Sequence, residues 1–576
     1  MATGLAERAK IELSEETANG RARAKALSAA RKVAARPTSA VAYRSTGAAV
    51  IIGPHEAAVP AASRLHPQVR CTVVVHPPAG AASTATQPTT GRAVKSEKDF
   101  PVVHEKVVQV SGHLGQYAVI VSAPPPAGGA NLLQKLGSQR THFDLVLDLT
   151  DPPFIRQELL PFGYYAPGKD AQALERALLE LPEMIGEFEK PRFFNYNPDI
   201  CAHGESGLTG CTRCLDACPA NAIISMHGEV AVDPHLCQGA GLCATVCPTG
   251  AMTYVYPTVA DQLARASALL KMYLKAGGSQ PIVLLHDAES GAERIAALAP
   301  RLPEHVLPMQ LAELGSLGME AWLSMLAHGA SQVALLPTAT TGASVLGATT
   351  EQITYSSIIL DGMGYGSNAI RLLSGDDAAV LDQLRAPAAA SAQPAATFAP
   401  IDEKRTLLRL AIEHLHANAP QPRAEVALPD GAPFGEIIVD RVACTLCMAC
   451  VGVCPVSALS DGADLPQLNF VEANCVQCGL CQTACPEDAI RRAPRYLYDA
   501  EARRATRVLN EETPFHCVAC GKPFATHKMM ERMLEKLEGH WMYRDPTARR
   551  RMQMCGDCRV RDVFRAGQGH PGGHLQ

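Results

Sequence analysis

The distribution of cysteine constrains this chain more than any other feature: of 20 cysteines, all but Cys71 fall into tight clusters. Cys444, Cys447, Cys450 and Cys454 are followed by Pro455, and Cys475, Cys478, Cys481 and Cys485 by Pro486, so two C-x2-C-x2-C-x3-C-P runs stand in tandem. Thiolates spaced this closely wrap a metal cluster from one tight turn, and the proline after the fourth redirects the chain. In a long chain such spacings denote reduced metal ligands, whereas disulfide frameworks belong to short secreted domains. Incidental thiols do not produce two complete runs in register.

The tandem runs resemble bacterial two-cluster ferredoxins. That resemblance implies that the first three cysteines of a run hold one [4Fe-4S] cluster while the fourth reaches the other. It groups Cys444, Cys447, Cys450 and Cys485 at one cluster and Cys475, Cys478, Cys481 and Cys454 at the next. An altered copy lies upstream, with Cys201 ten positions before Cys211, then Cys214 and Cys218-Pro219; its partner run has Cys237, Cys243 and Cys247-Pro248 with Ala240 at the second ligand position. The same rule places Cys201, Cys211, Cys214 and Cys247 on a third [4Fe-4S] cluster and leaves Cys237, Cys243 and Cys218 for a fourth site. Three thiolates suit a [3Fe-4S] cluster, a [4Fe-4S] cluster completed by water or another side chain, or nothing. His203, on the insertion, is a candidate substitute ligand, against the ordinary reading of a solvated loop histidine.

Cys517-x2-Cys520 and Cys555-x2-Cys558 are separated by 34 residues. Four thiolates in two short knuckles suit a structural tetrahedral zinc in a zinc-ribbon-like region, with rubredoxin-like iron or another iron-sulfur cluster as alternatives. Between them Met529, Met530, Met533, Leu534 and Leu537 form a helical stripe that reads as core. Cys71, in an apolar run, reads as a small buried hydrophobe. Gly364-Tyr-Gly366-Ser-Asn-Ala369 matches G-x-G-x-x-A, yet the preceding Asp361-Gly362-Met363 looks like a glycine-capped helix end rather than a dinucleotide loop. Arg549 to Arg551 and Arg559 to Arg565 read as a solvated basic face that could dock an acidic redox partner.

A chain of 576 residues exceeds one hydrophobic core and predicts several domains. Its net charge of −5 gives no basic field for nucleic acid. No apolar run approaches the roughly 18 to 20 residues of a membrane span, and the first forty residues lack the apolar stretch of an export signal, so a cytoplasmic location is expected. The expected fold is multidomain α/β plus α+β: a helical or disordered tail (1–40), an α/β domain (41–195), an atypical ferredoxin module (196–258) and a cysteine-free α/β domain (259–385). An Ala/Pro linker (386–400), a helix and connector (401–430), a second ferredoxin module (431–498) and the four-cysteine region (499–576) follow.

Within the cysteine-free domain, Val283-Leu-Leu-His286, Leu317-Gly-Met-Glu-Ala-Trp322, His328-Gly-Ala330 and Val333-Ala-Leu-Leu336 resemble the delta-subunit domain of methyl-viologen-reducing hydrogenases. That family passes electrons to heterodisulfide reductases through a cysteine-bound [2Fe-2S] cluster; without cysteines, the expectation here is docking or scaffolding. The whole chain is similar to the polyferredoxin-like proteins that accompany formate dehydrogenase systems. These resemblances imply a multi-cluster relay between a low-potential redox donor and an oxidoreductase acceptor, an oxidoreductase subunit more than a complete enzyme. No flavin, molybdenum or nucleotide signature points to a substrate site. The alternative is an assembly or maturation factor with structural or transferable clusters.

Overall fold

The computed structural model describes residues 13–76, 94–95, 100–123, 128–204, 207–208, 210–385, 394–463 and 465–568 and is mixed α/β. Runs such as Ala48–Gly53 and Arg70–Val75 are apolar on both faces, which suits strands covered on both sides. They pair in parallel at the centre of a six-stranded sheet, flanked by Leu145–Asp148 and Pro101–His104. Ala49 and Ile51 face helices His55–Leu65 and Ala171–Glu180, while Val50 and Ile52 face an antiparallel sheet of Val107–Ser111, Ala118–Ser122 and Gly129–Asn131. Cys71 lies in the first of these cores, where burial pushes its thiol up to about 12.

The second α/β unit has four parallel strands in the order Val306–Gln310, Ile282–His286, Gln332–Leu335, Ile370–Leu372. Val283, Leu285 and Val333 face helices Val259–Lys275 and Met319–Ala327 around the fully buried Trp322, and Ile282, Leu284 and Ala334 face Ser290–Leu298 and Asp377–Arg385. Helix Ala343–Asp361 ends at Gly362, and Gly364 (φ 84°) and Gly366 (φ 77°) turn the chain into strand Ile370–Leu372. The G-x-G-x-x-A segment thus leaves a helix and leads into a strand, the reverse of a dinucleotide loop.

Two stretches read as peripheral are packed into this unit. Helix Ala18–Ala30 buries Ala22, Ala26 and Ala30 in the core that contains Leu263, Ala266, Leu270 and Tyr273. Its stripe is alanine, too weakly apolar to announce burial, but small enough for close helix approach. Of the expected linker, residues 386–393 lie outside the described residues; beyond them the Ala396 N–H bonds to Ala327 O (2.8 Å) and Phe398 packs edge-on against His328.

Both cysteine-rich modules repeat one plan of short antiparallel strand pairs around short helices. In the first, Phe194–Tyr196 pairs with Met252–Tyr254 and Ile223–Met226 with Glu229–Val232. In the second, Gly435–Val439 pairs with Ile490–Leu497 and Leu459–Gly462 with Leu465–Phe470. Among the described residues no helix is long and apolar enough to cross a membrane.

Candidate iron-sulfur and metal centres

In the second module, Cys444, Cys447, Cys450 and Cys485 line one small cavity, and Cys454, Cys475, Cys478 and Cys481 line another. Each cavity therefore gathers three cysteines of one run and the fourth of the other. Burial and the neighbouring thiols Cys444, Cys447 and Cys485 push Cys450 up to about 12; burial pushes Cys475 up to about 11. Four thiols gathered in each cavity supply the donor set of an iron-sulfur cluster, so the residues present fit one cluster apiece.

The backbone shows why the spacing matters. Leu446 and Met448 (φ 54° and 61°) bracket Cys447 in the left-handed region, as Gln477 and Gly479 (φ 55° and 88°) bracket Cys478. This alternation folds the run into a cup that turns its amides and thiols inward. Three residues beyond the fourth cysteine, Ser457 and Asp488 again have positive φ (48° and 50°). There the Ala458 N–H bonds to Cys454 Sγ (3.2 Å) and the Ala489 N–H to Cys485 Sγ (3.3 Å). Amide bonds to ligand sulfur are the protein's lever on cluster potential.

The first module repeats these signatures. Asn221 (φ 46°) follows Cys218, whose Sγ accepts from the Ala222 N–H at 3.3 Å, and Gly250 (φ 85°) follows Cys247, whose Sγ accepts from the Met252 N–H at 3.5 Å. The displaced Cys201 is brought back by a loop pinned at its neck, where the Cys211 N–H bonds to Ala202 O (2.8 Å) and the Gly210 N–H to His203 O (2.9 Å). Gly210 is required at this neck, because a Cβ there would lie 2.2 Å from Ala202 O. Cys214 has Cys247, Cys211 and Cys201 as its thiol neighbours, and Cys243 has Cys237, Cys218 and, across the module, Cys214.

His203 is neither solvated nor free to bind metal. It is 3% exposed, its Nδ1 lies 2.9 Å from Cys211 O and its Nε2 2.7 Å from Ser225 Oγ. Because a carbonyl only accepts, Nδ1 donates to Cys211 O, and Nε2 is paired with the Ser225 hydroxyl, so both ring nitrogens are engaged. The insertion is closed enough to bury this ring, which spacing alone does not reveal.

Around the three-cysteine site, Gly239 and Gly241 (φ 82° and 81°) bracket Ala240 just as left-handed residues bracket Cys447 and Cys478. The cup is intact and lacks only a sulfur. It is closed from outside by the second α/β unit: a Cβ on Gly315 would lie 2.6 Å from Ala240 O, and the Thr245 hydroxyl donates to Gly315 O at 2.7 Å.

Cations from outside the cysteine runs reach the backbone of these sites, and no local motif marks them in the sequence. Lys190 donates to His235 O (2.8 Å) and Cys237 O (2.6 Å), and burial lowers its pKa to about 8. Arg405, stacked on Phe434, donates to Pro433 O (2.9 Å), Ala473 O (3.3 Å) and Cys475 O (3.2 Å), and Arg492 to Gln477 O (3.0 Å).

At the C-terminal end, Cys517 and Cys520 sit in the turn between strands Pro514–His516 and Pro523–Thr526, while Cys555 and Cys558 open helix Gly556–Gln568. The second knuckle is thus a helix start rather than a second hairpin of a ribbon. One sulfur from each of the four cysteines lies within 4.8 Å of the others, and Cys520 Sγ is 3.7 Å from Cys555 Sγ. Four sulfurs about 2.3 Å from one tetrahedral ion stand roughly 3.8 Å apart, so this group fits a single metal ion and is too tight for a cubane. Of the intervening stripe, Met530 is buried and Met529, Met533 and Leu534 are half-buried.

Residues 208–251 and 443–490 each match a family model for 4Fe-4S dicluster domains. Cups, sulfur-directed amides and the two dicluster domains support a polyferredoxin-like iron-sulfur protein with an electron-transfer role. Among curated proteins, it is similar to Hydrogenase-4 component A of Escherichia coli (strain K12), at 39% identity over 56 residues, which is 10% of this chain and 25% of the relative. The chain thus spans about a quarter of that protein's length.

Proposed function

We propose that this chain relays single electrons between a low-potential redox protein and an oxidoreductase of the hydrogenase or formate dehydrogenase type. The observation that carries the reading is the gathering of cysteines from four runs into groups of four, four, four and three, each combining one run with the last cysteine of its partner. Cys444, Cys447, Cys450 and Cys485, then Cys475, Cys478, Cys481 and Cys454, then Cys201, Cys211, Cys214 and Cys247 hold three [4Fe-4S] clusters. Cys237, Cys243 and Cys218 hold a fourth, three- or four-iron cluster. Such clusters supply one-electron chemistry with little geometric change, and the chain's amides, cations and apolar linings set their potentials.

Cys517, Cys520, Cys555 and Cys558 hold a structural zinc, which has no redox role. The cysteine-free α/β unit acts as scaffold, holding the modules through the Gly315 loop and the helix that follows its linker. Anaerobic iron, sulfide and zinc analysis with EPR of oxidised and dithionite-reduced protein tests the whole assignment. About 15 to 16 iron and about one zinc per chain, with stepwise reducible signals, are expected. A value near 8 iron, with the first module empty, overturns the four-site relay.

A further inference from the structure

The two dicluster modules are far apart in sequence, yet the structure presses them together at one point. A Cβ built on Gly210, beside Cys211, would lie 3.1 Å from Leu480 Cδ2, which sits between Cys478 and Cys481. This sets the loop that ends at Cys211 against the start of helix Leu480–Thr483, which carries Cys481. Within the first module the short helices Arg213–Ala217, carrying Cys214, and Leu242–Val246, carrying Cys243, pack together, and within the second so do Ala449–Gly452, carrying Cys450, and Leu480–Thr483, carrying Cys481. These three contacts order the sites in a line. The three-cysteine site comes first, followed by the Cys201 and Cys475 groups, and the Cys444 group, with its exposed Cys447, stands at the far end.

Two consecutive side chains span this junction from the start of helix Lys404–Ala417. Lys404 Nζ donates to Ala244 O (2.9 Å) and Thr245 O (2.6 Å) in the first module and lies 3.6 Å from the buried Glu320. Arg405 donates in the second module to the carbonyls of Pro433, Ala473 and Cys475. Five carbonyls from two modules thus converge on adjacent residues of one helix, which is itself packed in the core of the second α/β unit. Neighbouring residues on a helix point in different directions, so the pair can grip both modules without either side chain bending across.

We propose that Lys404 and Arg405 are positioning residues that hold the two modules in register, making the contact between the Gly210–Cys211 neck and Leu480 an internal junction of a four-site conduit. This rests on the relay reading above. At the junction one site loses one electron and the other gains it; no bond forms or breaks and no proton moves. The external donor is a low-potential one-electron reductant, for which dithionite stands in.

The test uses the full-length, iron-loaded chain. In fully reduced wild type, EPR is expected to show spin-spin broadening linking the Cys201-group and Cys475-group clusters. Cys214→Ser, which removes the first of these, is expected to sharpen the signal of the second, and Cys481→Ser to do the converse. The double variant Lys404→Gln/Arg405→Gln is expected to keep iron in both modules, with the potential of the Cys475-group cluster lowered by loss of the Arg405 charge, while losing the broadening between the modules. A second-module signal unaffected by Cys214→Ser overturns the junction even if the double variant fails to fold. Broadening that persists in an iron-replete double variant overturns the role of the clasp. Loss of iron from wild type itself counts against the relay reading instead, so the two failures are distinguishable.

Discussion

Replacing Ala240 with cysteine isolates what the first module lacks. Gly239 and Gly241 already hold the left-handed conformations that flank Cys447 and Cys478, and Ala240 itself has no positive φ, so a side chain with one more atom needs no backbone change. The added sulfur meets a cup closed by the Gly315 loop, where overpacking by one heavy atom typically costs about 1 to 3 kcal/mol. Against this stands a fourth thiolate for iron. A three-iron cluster at Cys237, Cys243 and Cys218 then becomes a four-iron cluster, and the content rises by about one iron per chain, from roughly 15 to 16. The assay is iron analysis with EPR of the oxidised protein, in which the three-iron signal disappears. Alkylation of the native protein followed by mass spectrometry is the second readout, and the introduced thiol is expected to be protected as fully as Cys243. An introduced thiol that alkylates freely, with iron content and spectrum unchanged, refutes the argument that Ala240 occupies a ligand position.

Four further outcomes follow from particular contacts. His203→Ala removes two buried hydrogen bonds at the neck of the insertion and is expected to cost about 1 to 3 kcal/mol, read as faster iron loss from the first module with the second unchanged. Cys555→Ser is expected to abolish bound zinc while iron stays at the wild-type value, and hydrogen exchange should rise in residues 514–526 and 556–568. Glu304 accepts hydrogen bonds from the Ser14 and Thr17 hydroxyls and from backbone amides at the start of helix Ala18–Ala30, which lower its pKa from 4.5 to about 2. Because the folded value is depressed, its contribution is complete above the unfolded value and is lost as pH falls from 4.5 towards 2; hydrogen exchange of amides 18–30 should accelerate across that window, and Glu304→Gln should show the acceleration at neutral pH. Cys71→Ala is expected to leave iron and zinc contents unchanged, since its thiol touches only the core of the first α/β unit.

Much of this was legible because the relevant interactions are local. The spacing of Cys444 to Cys485 dictates the cup, and the apolar runs at Val50 and Val283 dictate strands covered on both faces. The helical period of residues 259–275 marks a helix with the observed bounds, Val259–Lys275. Where the outcome depends on distant packing, the sequence is silent or misleading. Helix Ala18–Ala30 reads as a tail because its buried stripe is alanine. His203 reads as solvated because the neck bond from Cys211 to Ala202, which encloses it, joins residues nine positions apart. The second C-x2-C pair reads like the first, although Cys555 opens a helix and Cys517 follows a strand.

The same division explains why a chain with two cysteine-rich modules carries two larger α/β units, one holding only Cys71 and the other no cysteine. An iron-sulfur cluster with thiolate ligands is an anion, and holding it in an apolar cavity is costly unless positive charge and amide dipoles face it. The cysteine runs supply the amides, as the Ala222, Ala458 and Ala489 bonds to sulfur show, but few cations. Lys190 comes instead from strand Gly186–Pro191 beside the first α/β unit, and Lys404 and Arg405 from a helix packed on the second. Within the four runs, 211–218, 237–247, 444–454 and 475–485, the one Lys or Arg is Arg213. The larger units therefore do more than connect: they bring charge to Cys237 and Cys475 at the two ends of a three-site stretch, and they keep the first module against the second. On this argument Lys190→Met, which removes the cation at Cys237 O while preserving side-chain length, lowers the potential of the three-cysteine site and leaves the Cys444 group unmoved. Redox-titrated EPR separates the two signals, and an equal shift in both refutes a local electrostatic role for Lys190.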